Sequence, residues 1–277
     1  MSIGVQTTLR KPVSYSGIGL HAAHEVHMTM RPAPADTGVV FVRTDLPGQP
    51  SVKAQLDNVT NTMRATTLEC GAAKVFTVEH VLSALQGLQV DNCIIDMDSV
   101  EPPVADGSSL TFVKLIEEAG IQELGVPRKV LKIQKQHLVE DNDKFIAILP
   151  YDGFRITFTS IKNHPLLGVQ FFDADITKET YIRDVAFART IAFTDELEML
   201  KKLGLGKGGT LENTIVYDDT TCLSKLRSPD ELVRHKVLDV IGDLSLVGMP
   251  IEGHVIAVKS SHKLNSLLTH KIIEEAR

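Results

Sequence analysis

Arg234-His235-Lys236-Val237-Leu238-Asp239-Val240-Ile241-Gly242-Asp243-Leu244 is the stretch on which the reading of this chain turns. On a helix, His235, Asp239 and Asp243 fall at successive i, i+4 steps and share one face. Val237, Leu238, Ile241 and Leu244 recur at helical spacing on the other side, so one face suits a core and the other suits a cation. Two ligands hold no metal tightly. A catalytic zinc site takes three protein ligands and leaves a position open, so the stripe requires a third donor elsewhere.

The best donor lies in Thr77-Val78-Glu79-His80-Val81-Leu82-Ser83-Ala84-Leu85. Thr77 reads as an N-cap, with Glu79 and His80 in the first helical turn. Neighbours on a helix point about 100° apart, so both can serve one site only if the helix aims its N-terminus at it. Imidazole and carboxylate suit zinc, which makes His80, His235 and Asp239 a His2Asp set with Glu79 as base for a water. Taken alone, a Glu-His pair at a helix start is more often a cap plus a surface histidine, and an i, i+4 His-Asp pair is also an ordinary surface hydrogen bond. Neither the His-Glu-x-x-His motif nor its inverted form is present.

An internal repeat ties the two helices together. Val81-Leu82, Leu85 and Leu88 line up with Val237-Leu238, Ile241 and Leu244, and Lys114 to Ala119 lines up with Lys271 to Ala276 at nearly the same offset. Between these anchors lie apolar strands, Asn92 to Met97 and His254 to Lys259, so each unit ends in helix, strand, helix. Each unit opens with strand-type sequence. Pro12 to Ile18, Glu25 to Met30 and Val39 to Arg43 alternate apolar and polar residues in the first, and Lys129 to Ile133, Phe145 to Leu149 and Phe154 to Thr159 do so in the second. Strands followed by helices indicate α+β layers. The expected domains are 1–126 and 127–277, of about 125 and 150 residues, joined near Gly125-Val126-Pro127-Arg128 where the first unit's last helix is read to stop. A site shared across their interface explains how distant ligands converge.

Between Thr190 and Val216 the second unit carries an insertion. Phe193 to Leu203 is amphipathic, the glycines of Gly204-Leu205-Gly206-Lys207-Gly208-Gly209 break it, and Leu211 to Tyr217 resumes as a strand. The glycine loop lacks the Walker spacing. With 43% hydrophobic and 23% charged residues the chain is an ordinary globular protein. No stretch approaches the ~18 uninterrupted apolar residues of a membrane span, and no signal peptide is apparent, which points to the cytoplasm. Cys70, Cys93 and Cys222 form no Cys-x-x-Cys, and a net charge of −6 argues against nucleic acid.

Several motifs in order carry a family resemblance. They are the turn Ser16-Gly17-Ile18-Gly19-Leu20-His21, Thr77-Val78-Glu79-His80, Glu101-Pro102 with Asp106-Gly107-Ser108, Ala188-Arg189-Thr190, and Gly204-Leu205 with Gly208-Gly209. Val233-Arg234-His235-Lys236 with Asp239 and Gly242-Asp243-Leu244, and Ser261-His262 with Leu264-Asn265, complete the set. From that turn to the last helix, the chain resembles the UDP-3-O-acyl-N-acetylglucosamine deacetylase family, zinc amidases of the committed step in lipid A biosynthesis. The resemblance implies two similar domains, each a sheet with two helices, the helices sandwiched between the sheets, and a βαβ insert at about 190–217 around a passage for the acyl chain. It implies one catalytic Zn2+ on His80, His235 and Asp239, with Glu79 as general base and His262 as a protonated loop histidine acting on the leaving amine or oxyanion. Asp243 would hold His262, Thr190 would donate to the carbonyl oxygen, and Lys236 would sit beside the metal. Lys144 would contact the substrate's polar part, and Ile191, Phe193, Leu205 and Gly208 would line the substrate's path. The substrate would be a UDP-linked acylated amino sugar, and the chain a monomer with peripheral rather than spanning contact with membranes.

The chain departs from the family at Ile191 and Lys162, where Phe is usual, at Ser261 for Gly, and at Pro102-Pro103. His21 and His164 are read as surface or nucleotide-proximal residues without a role. Two other classes stay open: another zinc amidase or esterase acting on acylated sugars, and a non-catalytic two-domain binding protein with structural histidines. Metal content separates the last from the others.

Overall fold

The computed structural model describes residues 4–276, with the side chains of Glu275 and Ala276 left aside. The first three residues and Arg277, which begin and end the two expected domains, lie outside the described residues. Six α-helices are present among those described: α1 (Glu79–Gly87), α2 (Leu110–Ala119), α3 (Lys178–Asp184), α4 (Thr194–Lys202), α5 (Glu231–Leu244) and α6 (His262–Ala276).

Two five-membered strand ladders have the same plan. In the first the order is Val13–Ile18, Glu25–Pro32, Cys93–Met97, Val39–Arg43, Ser51–Lys53; in the second it is His137–Asp141, Lys144–Leu149, Ile251–Val258, Phe154–Lys162, Gly168–Asp175. The strand that follows α1 in the first half and α5 in the second inserts between earlier strands, antiparallel to one and parallel to the other. This shared topology is the structural form of the sequence repeat. A short strand, Leu131–Lys132, extends the second sheet beside Ile251 and Glu252.

Alternation explains which way each sheet faces. Val26, Met28 and Met30 are buried while Glu25 and His27 are exposed; in the second sheet Ile156 and Phe158 turn inward. Both inner faces bury against the helices, and one continuous core runs from Met28, Phe41 and Ile95 through Val81, Leu85, Val237 and Ile241 to Ile148, Phe158 and Val255. A helix pressed between two sheets has little solvent face, which is why α5 is buried along nearly its whole length, its His235, Asp239 and Asp243 included. The polar stripe therefore faces an internal site.

The helices meet closely where the site lies. A Cβ on Gly242 of α5 would stand 2.2 Å from the carbonyl oxygen of Glu79 on α1, so only glycine lets the two helices approach there. The insert is a βαβ unit as expected: Thr190–Phe193 pairs parallel with Thr214–Tyr217, and α4 forms the crossover. It has its own small core of Ile215, Tyr217 and Leu232 with Leu167.

Two expectations are corrected and one sheet is added. The first half's last helix stops at Ala119, capped by Gly120 at φ +71, and the segment read as its end is a strand, Ile121–Pro127, paired with Val5–Leu9. Thr77 is not the cap of α1: it sits at φ +57, Val78 takes the cap position, and the Thr77 hydroxyl donates to Glu101 Oε1 at 2.7 Å. A third sheet, Val59–Asn61, Thr67–Cys70 and Ala73–Phe76, was not read from the sequence.

Candidate metal and catalytic site

The N-terminus of α1 is brought against the middle of α5, so Glu79 and His80 meet the stripe on α5. His80, His235 and Asp239 are all buried, and each offers a ligand atom within 4.8 Å of the others. Bonds of about 2.0–2.1 Å to one zinc ion set neighbouring donors roughly 3.4 Å apart, and His235 Nε2 stands 3.4 Å from Asp239 Oδ1. The two imidazoles are perpendicular, with centroids 5.1 Å apart.

The free atoms of this set suit a cation. His235 Nδ1 lies 3.0 Å from the Ala188 carbonyl, to which it donates as the tautomer that frees Nε2 for a metal. Asp239 Oδ2 accepts from Lys236 Nζ at 2.8 Å, while Oδ1 is buried and accepts no hydrogen bond. A buried carboxylate oxygen without a donor is costly in a protein interior and is the signature of a missing electropositive partner. Burial and the neighbouring His235 pull His80 down to about 3, and burial also lowers His235 against the pull of Asp239. Both imidazoles are neutral at pH 7, as ligands must be. Burial would raise Asp239, but His235, Lys236 and His262 outweigh it and hold the carboxylate well below its usual range.

Glu79 lies beside the set. Its Oε2 accepts the Thr66 backbone N–H at 3.1 Å, and its Oε1 is 3.9 Å from His262 Nε2. Burial pushes its pKa up to about 8, opposed by His262 and reinforced by Asp243 and Asp239. His262 is the first residue of α6, where a loop was expected, and its ring is fixed by Asp243 Oδ2, 2.8 Å from Nδ1. Burial alone would lower its pKa; Asp243 and Asp239 reverse this and lift it to about 10. Asp243 also accepts from Thr66 Oγ1 at 2.6 Å and Asn265 Nδ2 at 2.8 Å. Burial would lower Lys236, but its pair with Asp239 raises it overall.

These groups open onto a cavity of about 960 Å³ whose wall includes Glu79, His235, Lys236, Asp239 and His262. Thr190, Ile191 and Phe193 lie on its insert side, with Leu200, Leu211 and Leu223 adding apolar surface. Lys144, the exposed first residue of its strand, also reaches this wall. Leu205 and Gly208 do not; Gly206 and Gly209 line it in their stead. Leu205 is only partly buried, and its N–H is tied back to the Leu200 carbonyl. A Cβ on Gly208 would lie 2.2 Å from the Gly19 carbonyl oxygen, so this glycine anchors the insert to the first half.

His21 is corrected as well. It is buried, its Nδ1 accepts the Gly206 N–H at 3.1 Å, and burial takes its pKa down to about 4. Thr66 was not anticipated by the sequence reading. Arg189 of the Ala-Arg-Thr motif proves structural: its guanidinium pairs with buried Glu231 at 2.9 Å and fixes the start of α5 beside Thr190.

The chain is similar to known proteins over nearly its whole length. A family model described as UDP-3-O-acyl N-acetylglycosamine deacetylase matches residues 6–274. A UDP-3-O-acyl-N-acetylglucosamine deacetylase of Anaeromyxobacter sp. (strain Fw109-5) is 44% identical over 272 residues, covering 98% of this chain and 89% of the relative. The enzymes of that name from Pseudomonas entomophila (strain L48) and Bdellovibrio bacteriovorus (strain HD100) are each 43% identical, over 98% and 97% of this chain and 90% and 89% of their own lengths.

Proposed function

The chain belongs to the UDP-3-O-acyl N-acetylglycosamine deacetylase family, and on that premise we propose that it hydrolyses the acetamide of a UDP-3-O-acyl-N-acetylglucosamine in a zinc-dependent reaction of lipid A biosynthesis. Acetate and a free 2-amine are the products. The observation that carries the zinc-dependent reading is the buried set His80, His235 and Asp239, with one Asp239 oxygen left without a donor and Glu79 alongside.

The three ligands would hold one zinc ion. Bound there, it would supply a Lewis acid that polarises the acetamide carbonyl and acidifies water. Glu79 takes the proton from the attacking water, a role favoured by its raised pKa, which brings the base near the working pH. His262, kept cationic by Asp243, gives a proton to the amine as the C–N bond breaks. The Thr190 hydroxyl donates to the carbonyl oxygen as charge develops on it. Lys236 neutralises the outer oxygen of Asp239 and adds positive charge at the same wall. Lys144 contacts the polar part of the substrate, and the acyl chain follows the apolar insert wall past Ile191 and Phe193.

We read residues 1–126 and 127–277 as two domains, a division supported by the closing pair of Val5–Leu9 with Ile121–Pro127. His80, Glu79, His235, Asp239 and His262 meet within one chain, so the proposed chemistry needs no residue from a second copy. The thiols of Cys70, Cys93 and Cys222 are all free, which suits the reducing cytoplasm. No helix among the described residues is long and apolar enough to cross a membrane.

The test is acetate release from a UDP-N-acetylglucosamine bearing a 3-O-acyl chain, with the protein metal-loaded and metal-stripped. Activity should need the metal and should fall on the order of 10²- to 10⁴-fold in Glu79→Gln, the range for loss of a general base. Full turnover by the stripped protein, or by Glu79→Gln, would refute this reading.

A further inference from the structure

Lys162 ends its strand on the wall of the large cavity, where the family resemblance led to an expectation of phenylalanine. Its ammonium lies 4.4 Å from the centroid of the Phe193 ring. The seat under it is rigid. Phe193 stacks on Tyr217 at 5.8 Å, His164 packs edge-on against both rings, and His164 Nε2 is held 2.8 Å from the Asp218 carbonyl oxygen.

Lys144, exposed at the start of its strand, has no aromatic seat among the described residues, and the other three cations on this wall already have partners. Arg64 pairs with Glu196 at 2.9 Å, Lys236 with Asp239 at 2.8 Å, and Lys259 with Asp143. Lys162 makes no ion pair among the described residues. Although the side chain is exposed to the cavity, desolvation by the walls lowers its pKa; Glu196 is the strongest charge acting on it and opposes the shift, while Lys236 and Arg64 add repulsion. A positioned cation with an aromatic seat, partial desolvation and no ion pair of its own, the strongest carboxylate acting on it, Glu196, being engaged by Arg64, suits an anion.

Which anion follows from the substrate class of the proposed function, on which this inference rests. The sugar and acyl chain of a UDP-3-O-acyl-N-acetylglucosamine are neutral, and its negative charge lies on the diphosphate. We propose that Lys162 is a specificity-determining residue that binds a phosphate oxygen of the substrate's diphosphate from its seat on Phe193. A lysine ammonium serves phosphate as a compact point charge. Phenylalanine at this position could stack but could not neutralise. The chain thus recognises the nucleotide side of its substrate by charge at a place where an aromatic contact is usual for the family.

The experiment titrates UDP, inorganic pyrophosphate and uridine into metal-loaded wild type and into Lys162→Met, Lys162→Phe and Lys162→Arg, and measures KM and kcat on the full substrate. Lys162→Met and Lys162→Phe should weaken UDP and pyrophosphate by roughly 10- to 100-fold, the equivalent of one charge-assisted hydrogen bond. Uridine should bind as it does to wild type, Lys162→Arg should stay close to wild type, and the kinetic loss should fall on KM with kcat within about twofold. UDP affinity within twofold of wild type in both uncharged variants would overturn the proposal. So would an equal loss for uridine and UDP, or a fall in kcat together with the melting temperature, since these mark a packing role. Failure of wild type to release acetate would instead strike the functional reading, so the two failures are distinguishable.

Discussion

His262 Nδ1 lies 2.8 Å from Asp243 Oδ2, across the join between α5 and α6. Asp243 is itself held by Thr66 and Asn265, so its carboxylate has little freedom and fixes both the orientation and the charge of the imidazole. Asp243→Asn keeps the shape and removes the charge. Its His262 should lose its cationic form at lower pH, so the basic limb of the kcat profile should move down. The rate at neutral pH should fall on the order of 10- to 100-fold, part of the usual contribution of a general acid. A profile with an unmoved basic limb would separate His262 from Asp243.

Metal content should follow the buried ligand set. His80→Ala and His235→Ala should each leave less than stoichiometric zinc by elemental analysis, because two remaining ligands do not hold the ion tightly. His80, taken down to about 3, is neutral well below pH 7, and burial lowers His235 from the ordinary histidine value as well. Zinc uptake by the stripped protein should therefore weaken little between pH 8 and pH 6, in contrast to free histidines titrating near 6.5. Stoichiometric zinc in either variant would refute the set.

Gly242→Ala tests the α1–α5 contact. The added Cβ would meet the Glu79 carbonyl at 2.2 Å, and the obstacle is backbone, which cannot swing aside. The helices must separate, at a cost of about 1–3 kcal/mol. Because the displaced residue is Glu79, kcat should fall more than zinc binding does. A variant with wild-type melting temperature and turnover would show that the contact is looser than the structure indicates.

The metal-free protein should lose stability as pH rises from about 7.5 to 9. Above about pH 7.5 an unfolded glutamate is ionised and an unfolded histidine, titrating near 6.5, is largely neutral, whereas folded Glu79 holds its proton up to about 8 and folded His262 up to about 10. The folded state binds more protons than the unfolded state there, so stability declines with pH. His21, His80 and His235, all lowered, are largely neutral in both states over that range and contribute little. A scan should show the melting temperature falling on the order of 5 °C between about pH 7.5 and 9, and Glu79→Gln should reduce the fall. A flat profile would mean that the buried pair does not hold these protons.

The stripe on α5 was legible because i, i+4 spacing survives translation from sequence to helix, and the closing helix, strand, helix order of both halves was legible through their repeat, whereas the strand order was not. Thr66 was not. It contributes a backbone N–H to Glu79 and a hydroxyl to Asp243 from a loop that turns at Arg64, φ +69, and no periodicity marks such a residue. The stop of α2 was read at Gly125, but the helix ends before Gly120 and the residues between form a strand that finds its partner in Val5–Leu9. Gly208 was legible as important but not for the right reason: its lack of a side chain serves the approach of Gly19 and not the substrate. Local pattern carries element type and ligand spacing; contacts between distant loops are decided only once the two halves have packed.

The insert should read the length of the acyl chain. Ile191, Phe193, Leu200 and Leu211 line the cavity, while Leu205 lies off it. Each methylene buried on this wall should contribute ~0.8 kcal/mol, so catalytic efficiency should drop about fourfold per methylene removed until the chain no longer reaches the insert. Leu200→Asp and Ile191→Asp introduce a charge with no partner on an apolar wall and should penalise long-chain substrates more than short ones. Leu205→Asp should change chain-length preference little, which makes it the internal control. Efficiencies measured across a series of acyl lengths decide the matter. If all three aspartate variants shift the series equally, or if wild type is indifferent to length, the acyl chain lies elsewhere and the βαβ insert serves only to shape the nucleotide side of the cavity.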